Sequence, residues 1–301
     1  MKTEKVYLNG KFVSVEKAAV SVFDRGLNYG DGIFETMKSL NGKVFYLKDH
    51  LIRLKTGSKA IGIPPAAIRG VEKDLKNGML ENLLGINGLS KGYAYIKVMV
   101  TRGTDRGGHL PAKKPTPTVI AVCKSLDVRA VSNHSENGVR VTLARGYRRC
   151  LPGIKTLNFL PNILGKRLAE KRNAFEAIFV DGDSNLTEGT STNLFMIESG
   201  GIKTPPAGKN SSEGVLPGIM RKNVLKFAGK KGINVVEAPI HITEIHSCEE
   251  AFLTNSILGV IPIIRFDSEP VGSGKPGDMT RLIQRAICRE IRKYEQAHYV
   301  L

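Results

Sequence analysis

The sequence predicts an α/β chain of the α+β type, in which short strands follow one another as an antiparallel meander rather than as a doubly wound sheet. Three patterns carry this expectation. Between Ala177 and Ile197 two strand-like runs succeed each other with a turn at Asp181-Gly182 and a short stretch through Glu188 between them, whereas parallel neighbours need a long crossover in each connection. Gly92–Val100 alternates with the period of a strand. Leu47, Leu51, Leu54 and Ile61 recur with the period of a helix.

Composition narrows the function classes. The chain has 301 residues, of which 41% are hydrophobic, enough for a sizeable core in one large or two medium domains. No apolar run approaches the ~20 residues of a membrane span. Met1-Lys2-Thr3-Glu4-Lys5 lacks the apolar core of a signal peptide, so the expectation is a cytoplasmic protein with no membrane partner. Cys123, Cys150, Cys248 and Cys288 are widely spaced and His241 and His246 stand five apart, so neither a disulfide framework nor a metal site is expected. The histidines read as mostly structural. A net charge of +17 raises nucleic acid as a partner, but Lys and Arg are spread along the whole chain and no nucleic-acid-binding pattern is present. The charge suits attraction of small anions such as phosphate esters and carboxylates instead.

Taken in order, Val6–Val13 reads as a hairpin about Asn9-Gly10, a dipeptide that tolerates the positive φ of a two-residue turn. The glycine-dense stretch Asp24–Thr36 lets backbone run close to a ligand or another chain, enters a strand and turns at Asn41-Gly42. In the first helix Arg53 stands beside the apolar stripe, where its guanidinium can reach inward. A second helix carries Ile68, Val71, Leu75, Met79 and Leu83 and ends near Gly85 and Gly88. In the strand Gly92–Val100, Tyr93, Tyr95, Lys97 and Met99 share one face, and a lysine between tyrosines invites a site. The loop Thr101–His109 offers cationic donors suited to a carboxylate.

After the strand Thr118–Cys123, Lys124–Asn137 is polar and aperiodic and reads as a linker, dividing a domain at 1–123 from another at 138–301. Lys155 lies between a Pro-Gly turn and a helix from about Pro161 to Asn173 with Leu164, Leu168 and Ala169 on one side; a buried amine there can act as a Schiff-base nucleophile. Ala177–Val180 is a strand, and a turn at Asp181-Gly182 leads to Glu188, which precedes the strand Asn193–Ile197. Gly214–Arg221 leads into a helix reaching about Lys231, whose unpaired first-turn N–H groups and dipole make an anion site. Ala251–Ser256 is a strand with a polar tip. The last helix, Asp278–Ala297, is expected to bury Leu282, Ile283, Ala286, Ile287 and Ile291.

Several of these stretches together resemble the class IV, or fold type IV, pyridoxal-phosphate aminotransferases, a group that holds branched-chain and D-amino-acid transaminases and aminodeoxychorismate lyases. The resemblance rests on Tyr29-Gly30-Asp31-Gly32-Ile33-Phe34-Glu35, His50-Leu51-Ile52-Arg53-Leu54, Ile154-Lys155-Thr156-Leu157-Asn158, Thr187-Glu188-Gly189, Asn193-Leu194-Phe195, Leu216-Pro217-Gly218-Ile219 and Thr254-Asn255-Ser256. It implies a small N-terminal α/β domain, a larger domain built on an antiparallel pseudo-barrel, and a homodimer that completes each pocket. It also implies pyridoxal 5'-phosphate held covalently by Lys155, which would shuttle the substrate proton. Glu188 would pair with the ring nitrogen, Leu216 would lie against the ring, and Arg53, Ile219, Met220 and Ser256 would hold the phosphate. Tyr29, Phe34, Thr36, Tyr95, Lys97, Arg106 and His109 match substrate positions.

Substrate is where the pattern divides. Branched-chain enzymes usually have an arginine where this chain has Lys97 and a tyrosine where it has Leu160. D-amino-acid enzymes share the leucine but use an Arg-x-His trap, whereas Arg106 and His109 are three apart, and Phe34 replaces a tyrosine. The lyases are similar at Phe34-Glu35-Thr36, Leu160 and Thr254-Asn255-Ser256. The implied activity is transfer of the amino group of a small amino acid, of branched-chain or D-type, to a 2-oxo acid such as 2-oxoglutarate. The alternative is an aminodeoxychorismate lyase producing 4-aminobenzoate and pyruvate.

Overall fold

The structure is a computed structural model that describes residues 4–147, 149–208 and 214–296. They form two compact units, Met1–Asp127 with Ile154–Asn158, and Val128–Gly153 with Phe159 onward.

The first unit is built on an antiparallel sheet. Strands β1 (Lys5–Leu8) and β2 (Lys11–Ser14) meet at Asn9 (φ 47°) and Gly10 (φ 89°), the two left-handed residues that a hairpin turn with the strands' own twist requires. After the helix α1 (Arg25–Tyr29), β3 (Gly32–Leu40) and β4 (Lys43–Val44) repeat the device at Asn41-Gly42. With β5 (Tyr93–Thr101) and β6 (Val119–Ser125) the order is β2-β1-β6-β5-β3-β4. The alternation in β5 is realised: Ala94, Ile96, Val98 and Val100 are fully buried, while Tyr93, Tyr95, Lys97 and Met99 are half-buried on the other face. Helix α2 (Leu47–Ala60) packs on β3 and buries Leu51 and Leu54.

The expected second helix is two, α3 (Pro65–Lys76) and α4 (Met79–Ile86). Gly78, at φ 80°, breaks it, yet Ile68, Val71, Leu75, Met79 and Leu83 are all buried, so the apolar stripe continues past a backbone break that periodicity does not register. Helix α1 was not expected at all. Five residues are too few to show a period, and its clearest signal is Asp24, whose side chain caps it by accepting from Gly26 N.

The second unit opens on α5 (Arg129–Asn137), inside the stretch read as aperiodic linker; the preceding β6 also runs two residues past the expected strand end. Most described α5 side chains are exposed or half-buried, so no apolar stripe betrays the helix. Then come β7 (Val139–Arg145), α6 (Leu160–Lys171), β8 (Glu176–Val180), β9 (Asn185–Gly189), β10 (Asn193–Glu198) and β11 (Gly201–Thr204). Helix α7 (Ile219–Lys231) follows, and after it β12 (Val235–Glu237), β13 (Ile240–His241), β14 (Glu250–Asn255), β15 (Gly259–Phe266), β16 (Glu269–Pro270) and α8 (Asp278–Gln296).

The strand order β10-β14-β15-β7-β8-β9 returns to β10 through the pair Asn193↔Glu188, which closes a ring. Its core draws a buried side chain from every strand of that ring: Leu194, Leu253, Ile261, Val141, Ile178 and Leu186. A barrel of this kind removes sheet edges along its closed part. The barrel is mixed rather than purely antiparallel. β7 runs parallel to both β15 and β8, and β11 to β12; α6 is the crossover in β7→β8 and α7 that in β11→β12.

Two helices bury only part of the set expected of them: α8 buries Ile283 and Ile287, and α6 buries Ala169. Leu164 on α6 and Leu282 on α8 are each 38% exposed. Besides Ala169, helix α6 buries Asn162 and Gly165, and since a Cβ on Gly165 would come within 2.9 Å of Phe179 and of Thr190, its approach to the sheet runs along small residues.

Candidate active site

In the first unit, the segment Ile154–Asn158 lies along the edge of β3. Phe34 N donates to Lys155 O at 2.9 Å, Leu157 N donates to Gly32 O at 3.0 Å, and Ile33 bridges Thr156. Ile154 is buried, with Gly57 of α2 beneath it. Lys155 itself is half-buried, and its Nζ stands 4.5 Å from the centre of the Phe34 ring. Lys97, cross-strand partner of Thr36, places its Nζ 4.7 Å from the same ring centre. Burial pulls the Lys97 ammonium below its usual range, because desolvation disfavours the charged form. Two amines on one aromatic ring therefore mark this face of β3 and β5.

Behind that strand lies a closed charge network. Glu35 is 2% exposed. Its Oε1 accepts from Arg53 Nε at 2.8 Å, while its Oε2 accepts from Arg53 Nη2 at 2.6 Å and meets His50 Nδ1 at 2.6 Å. Burial alone raises a carboxyl, but here it is outweighed by the Arg53 charge and by the hydrogen bonds from Arg53 and His50, and Glu35 is held at about 2. Burial also pulls the His50 imidazole down, against the opposing pull of Glu35.

The cationic loop divides into committed and open residues. Arg102 is buried and donates to Asp31 and to the carbonyls of Ile61 and Gly62, so it is structural. Arg25, also buried, ties Asp31 to the loop by donating to Gly108 O and His109 O, both at 2.8 Å. Arg106 and His109 are exposed: Arg106 lies over the Phe23 ring, and His109 is beside Tyr29. Thr36 and Tyr95 are half-buried on the sheet.

In the second unit Glu188 is the β9 residue at the barrel closure, 5% exposed. Its Oε1 pairs with Arg149 Nη1 and its Oε2 accepts from Leu216 N at 3.0 Å. Glu188 and Arg149 line a cleft of about 670 Å³ together with Tyr147 and Val215. Opposite Glu188, Asn193 donates from Nδ2 to Leu216 O at 2.9 Å. The turn between them is built on buried Glu176, which accepts from the hydroxyls of Thr190 at 2.6 Å, Ser191 at 3.2 Å and Thr192 at 3.4 Å.

Gly218 caps α7 without any side-chain hydrogen bond, so the N–H groups of Ile219 and Met220 begin the helix uncapped by a side chain. A Cβ on Gly218 would fall 2.0 Å from Asn193 Oδ1, which no other residue could accommodate without displacement. Thr254 is opposite Asn193 in the β10–β14 register, hence on the same face, and its buried Oγ1 has no hydrogen-bond partner among the described residues. Ser256 follows in the half-buried turn.

The sequence alone assigns no role to Arg149, Glu35, His50 or Glu176. The pair His50 and Arg53, three apart on one helix face, with a carboxylate on the adjacent strand, was a signal for the first network; Arg149 carried none, because its partner is far along the chain.

A profile of the family Amino-transferase class IV matches residues 32–266, most of the chain and every element just described from β3 to β15. The chain belongs to the class IV aminotransferases. Among curated class IV relatives, a putative branched-chain-amino-acid aminotransferase of Methanocaldococcus jannaschii is 34% identical over 93% of this chain and 94% of its own. A D-alanine aminotransferase of Bacillus licheniformis is 33% identical over 95% and 97%. Among solved structures, the branched-chain amino acid aminotransferase of Escherichia coli superposes with a TM-score of 0.83 at 25% identity, covering 95% of this chain and 93% of that one. The 4-amino-4-deoxychorismate lyase of Pseudomonas aeruginosa gives 0.75 at 27% identity, covering 93% and 97%. The barrel and its sheet-and-helix companion are thus the fold type IV architecture.

Class IV aminotransferases use pyridoxal 5'-phosphate, and the residues here fit it. A phosphate needs donors, and the first turn of α7, whose N–H groups no side chain caps and whose capping Gly218 cannot carry a Cβ, supplies them. An aldehyde needs a primary amine in a sheltered place, and Lys155 on Phe34 is one.

Proposed function

We propose that this class IV aminotransferase moves the amino group of a small amino acid, of branched-chain or D-type, to a 2-oxo acid such as 2-oxoglutarate, with pyridoxal 5'-phosphate as cofactor. The observation that carries the reading is the pair of amines on Phe34, one suited to covalent attachment and the other to an anion. When bound, the cofactor supplies an electron-withdrawing ring that takes up the charge left as the substrate Cα–H bond breaks. Lys155 would attach the cofactor and then carry the proton between substrate Cα and cofactor C4′. Glu188 would keep the ring nitrogen's proton in place, with Arg149 and Leu216 N holding its carboxylate still. Leu216 would lie against the ring. Arg53, the N–H groups of Ile219 and Met220, and the Ser256 hydroxyl would take the phosphate.

Substrate recognition would fall to Tyr29, Phe34, Thr36, Tyr95, Lys97, Arg106 and His109. Lys97 has no carboxylate partner among the described residues, and a half-buried ammonium in that state favours an incoming carboxylate. Tyr29, Arg106 and His109 occur among exposed apolar side chains, Val22, Phe23, Leu27 and Leu110, the last 87% exposed. A second copy of the chain covering that surface is the partner this reading includes, in a cytoplasmic homodimer. No helix among the described residues is long and apolar enough to cross a membrane.

The test is to incubate the protein with 2-oxoglutarate and panels of L- and D-amino acids. Glutamate formation from at least one donor is expected, and none from any would end the proposal. Borohydride reduction and peptide mapping should put the pyridoxyl group on Lys155; another lysine would overturn the assignment of roles. The lyase is kept as a second reading because Thr36 pairs across the sheet with Lys97 and because the Pseudomonas aeruginosa lyase superposes on nearly the whole chain. Pyruvate release from aminodeoxychorismate without an added oxo acid would favour it, and absence of release would remove it.

A further inference from the structure

Glu35 takes no part in the chemistry just proposed, yet it is among the most completely buried charged groups of the first unit. Three nitrogen contacts converge on its two oxygens, two from Arg53 and one from His50, all at 2.6–2.8 Å. A buried ion pair adds little to stability over an apolar replacement of both partners, because the desolvation of both charges offsets most of their attraction, although removing one partner alone is costly. What it does provide is geometry. Arg53 is gripped through Nε and Nη2 at once, and since the guanidinium is planar, this two-point grip fixes the plane and the orientation of the group. His50, one helical turn earlier on α2, meets Oε2 as well and so keeps the carboxylate from rotating.

Glu35 is also the immediate neighbour of Phe34, whose backbone N–H donates to the carbonyl of Lys155. Adjacent residues of one strand therefore fix the backbone of Lys155 and the guanidinium of Arg53. We propose that Glu35 is a positioning residue, which holds the Arg53 guanidinium in the place and orientation at which it takes the cofactor phosphate, with His50 bracing the carboxylate. The proposal rests on the reading of Arg53 as a phosphate holder.

The experiment measures the dissociation constants of pyridoxal 5'-phosphate and of phosphate-free pyridoxal from the apoprotein, for the unaltered chain, Glu35→Gln, Arg53→Ala and the double variant. Glu35→Gln is expected to weaken pyridoxal 5'-phosphate binding about tenfold, the scale of one charge-assisted hydrogen bond, and to leave pyridoxal binding unchanged. The double variant should bind no worse than Arg53→Ala. Should the two losses multiply, or should Glu35→Gln weaken pyridoxal as much as its phosphate ester, Glu35 does not act through Arg53 and the proposal falls. An Arg53→Ala variant with undiminished affinity would instead remove the phosphate reading of Arg53, and this proposal with it. If Glu35→Gln does not fold, Glu35→Asp, which keeps the charge but shortens its reach, is read by the same comparison.

Discussion

Two sets of charges in the first unit are organised in opposite ways. Glu35, His50 and Arg53 form a closed, buried set in which each oxygen of the carboxylate is used. Lys97 and Arg106 rest on the aromatic faces of Phe34 and Phe23, and His109 stands beside Tyr29, with no carboxylate paired to any of them among the described residues. The energies differ accordingly. A hydrogen bond to a charged group is worth about 1.5–3 kcal/mol, and an exposed cation on an aromatic ring about 0.5–1 kcal/mol. A carboxylate arriving from solvent can outcompete a ring for Arg106, but it cannot take Arg53 from Glu35. The closed set thus suits a permanently held group, and the open set suits ligands that must come and go.

That contrast can be broken at several points. The largest expected effect is at Lys155, whose replacement by Ala should abolish amino transfer and leave no borohydride-fixed pyridoxyl group by mass spectrometry. In the closed set, Glu35→Gln should destabilise the folded chain at pH 7 by about 3 kcal/mol, the worth of a carboxyl shifted from its ordinary 4.5 to about 2. Because the folded value is the lower one, that stabilisation is present above pH 4.5 and is lost as pH falls toward 2. Urea unfolding of both proteins should therefore show the gap narrowing below pH 4.5, and a gap that stays constant with pH would contradict the ion-pair account.

The open set should behave differently. Lys97→Met removes an ammonium that burial already disfavours, so the folded chain should be as stable as before or slightly more so, while KM for the oxo acid rises about tenfold for the lost charged contact. A large loss of stability would move Lys97 into the closed set. The smallest effect belongs to Arg106→Ala, which should raise KM a few-fold and leave stability within about 0.5 kcal/mol, as for exposed positions generally. Steady-state kinetics alongside thermal unfolding would check both.

Much of the fold was legible because backbone periods and turn chemistry are local. Asn9-Gly10 and Asn41-Gly42 announced their hairpins, and β5 kept its alternation residue by residue. What was not legible depends on distant partners or on single residues. The α3–α4 break needs only Gly78 in a left-handed conformation, and the apolar stripe runs across it undisturbed. The closure of the barrel is one residue pair, Asn193 with Glu188, whose pairing no local pattern encodes. The site divides in the same way. Lys155, Arg53 and Glu188 stand in short motifs that point to a family only when read together, and that Glu188 meets Arg149, or Arg53 meets Glu35, is written only in the packing of the folded units.

The single pair that joins β9 to β10 has a mechanical meaning as well. Where two strands share one pair while their neighbours share several, the ring has a seam, and a fluctuation that parts the strands starts there. Glu188 is half of that seam, and Leu216, which donates its N–H to Glu188 and gives its carbonyl to Asn193, is a staple across both halves. A ligand that engages Glu188 and Leu216 together would clamp the barrel shut from outside, so loading the site should slow amide exchange at Gly189, whose N–H bonds Thr192 O at 2.8 Å just beyond the seam.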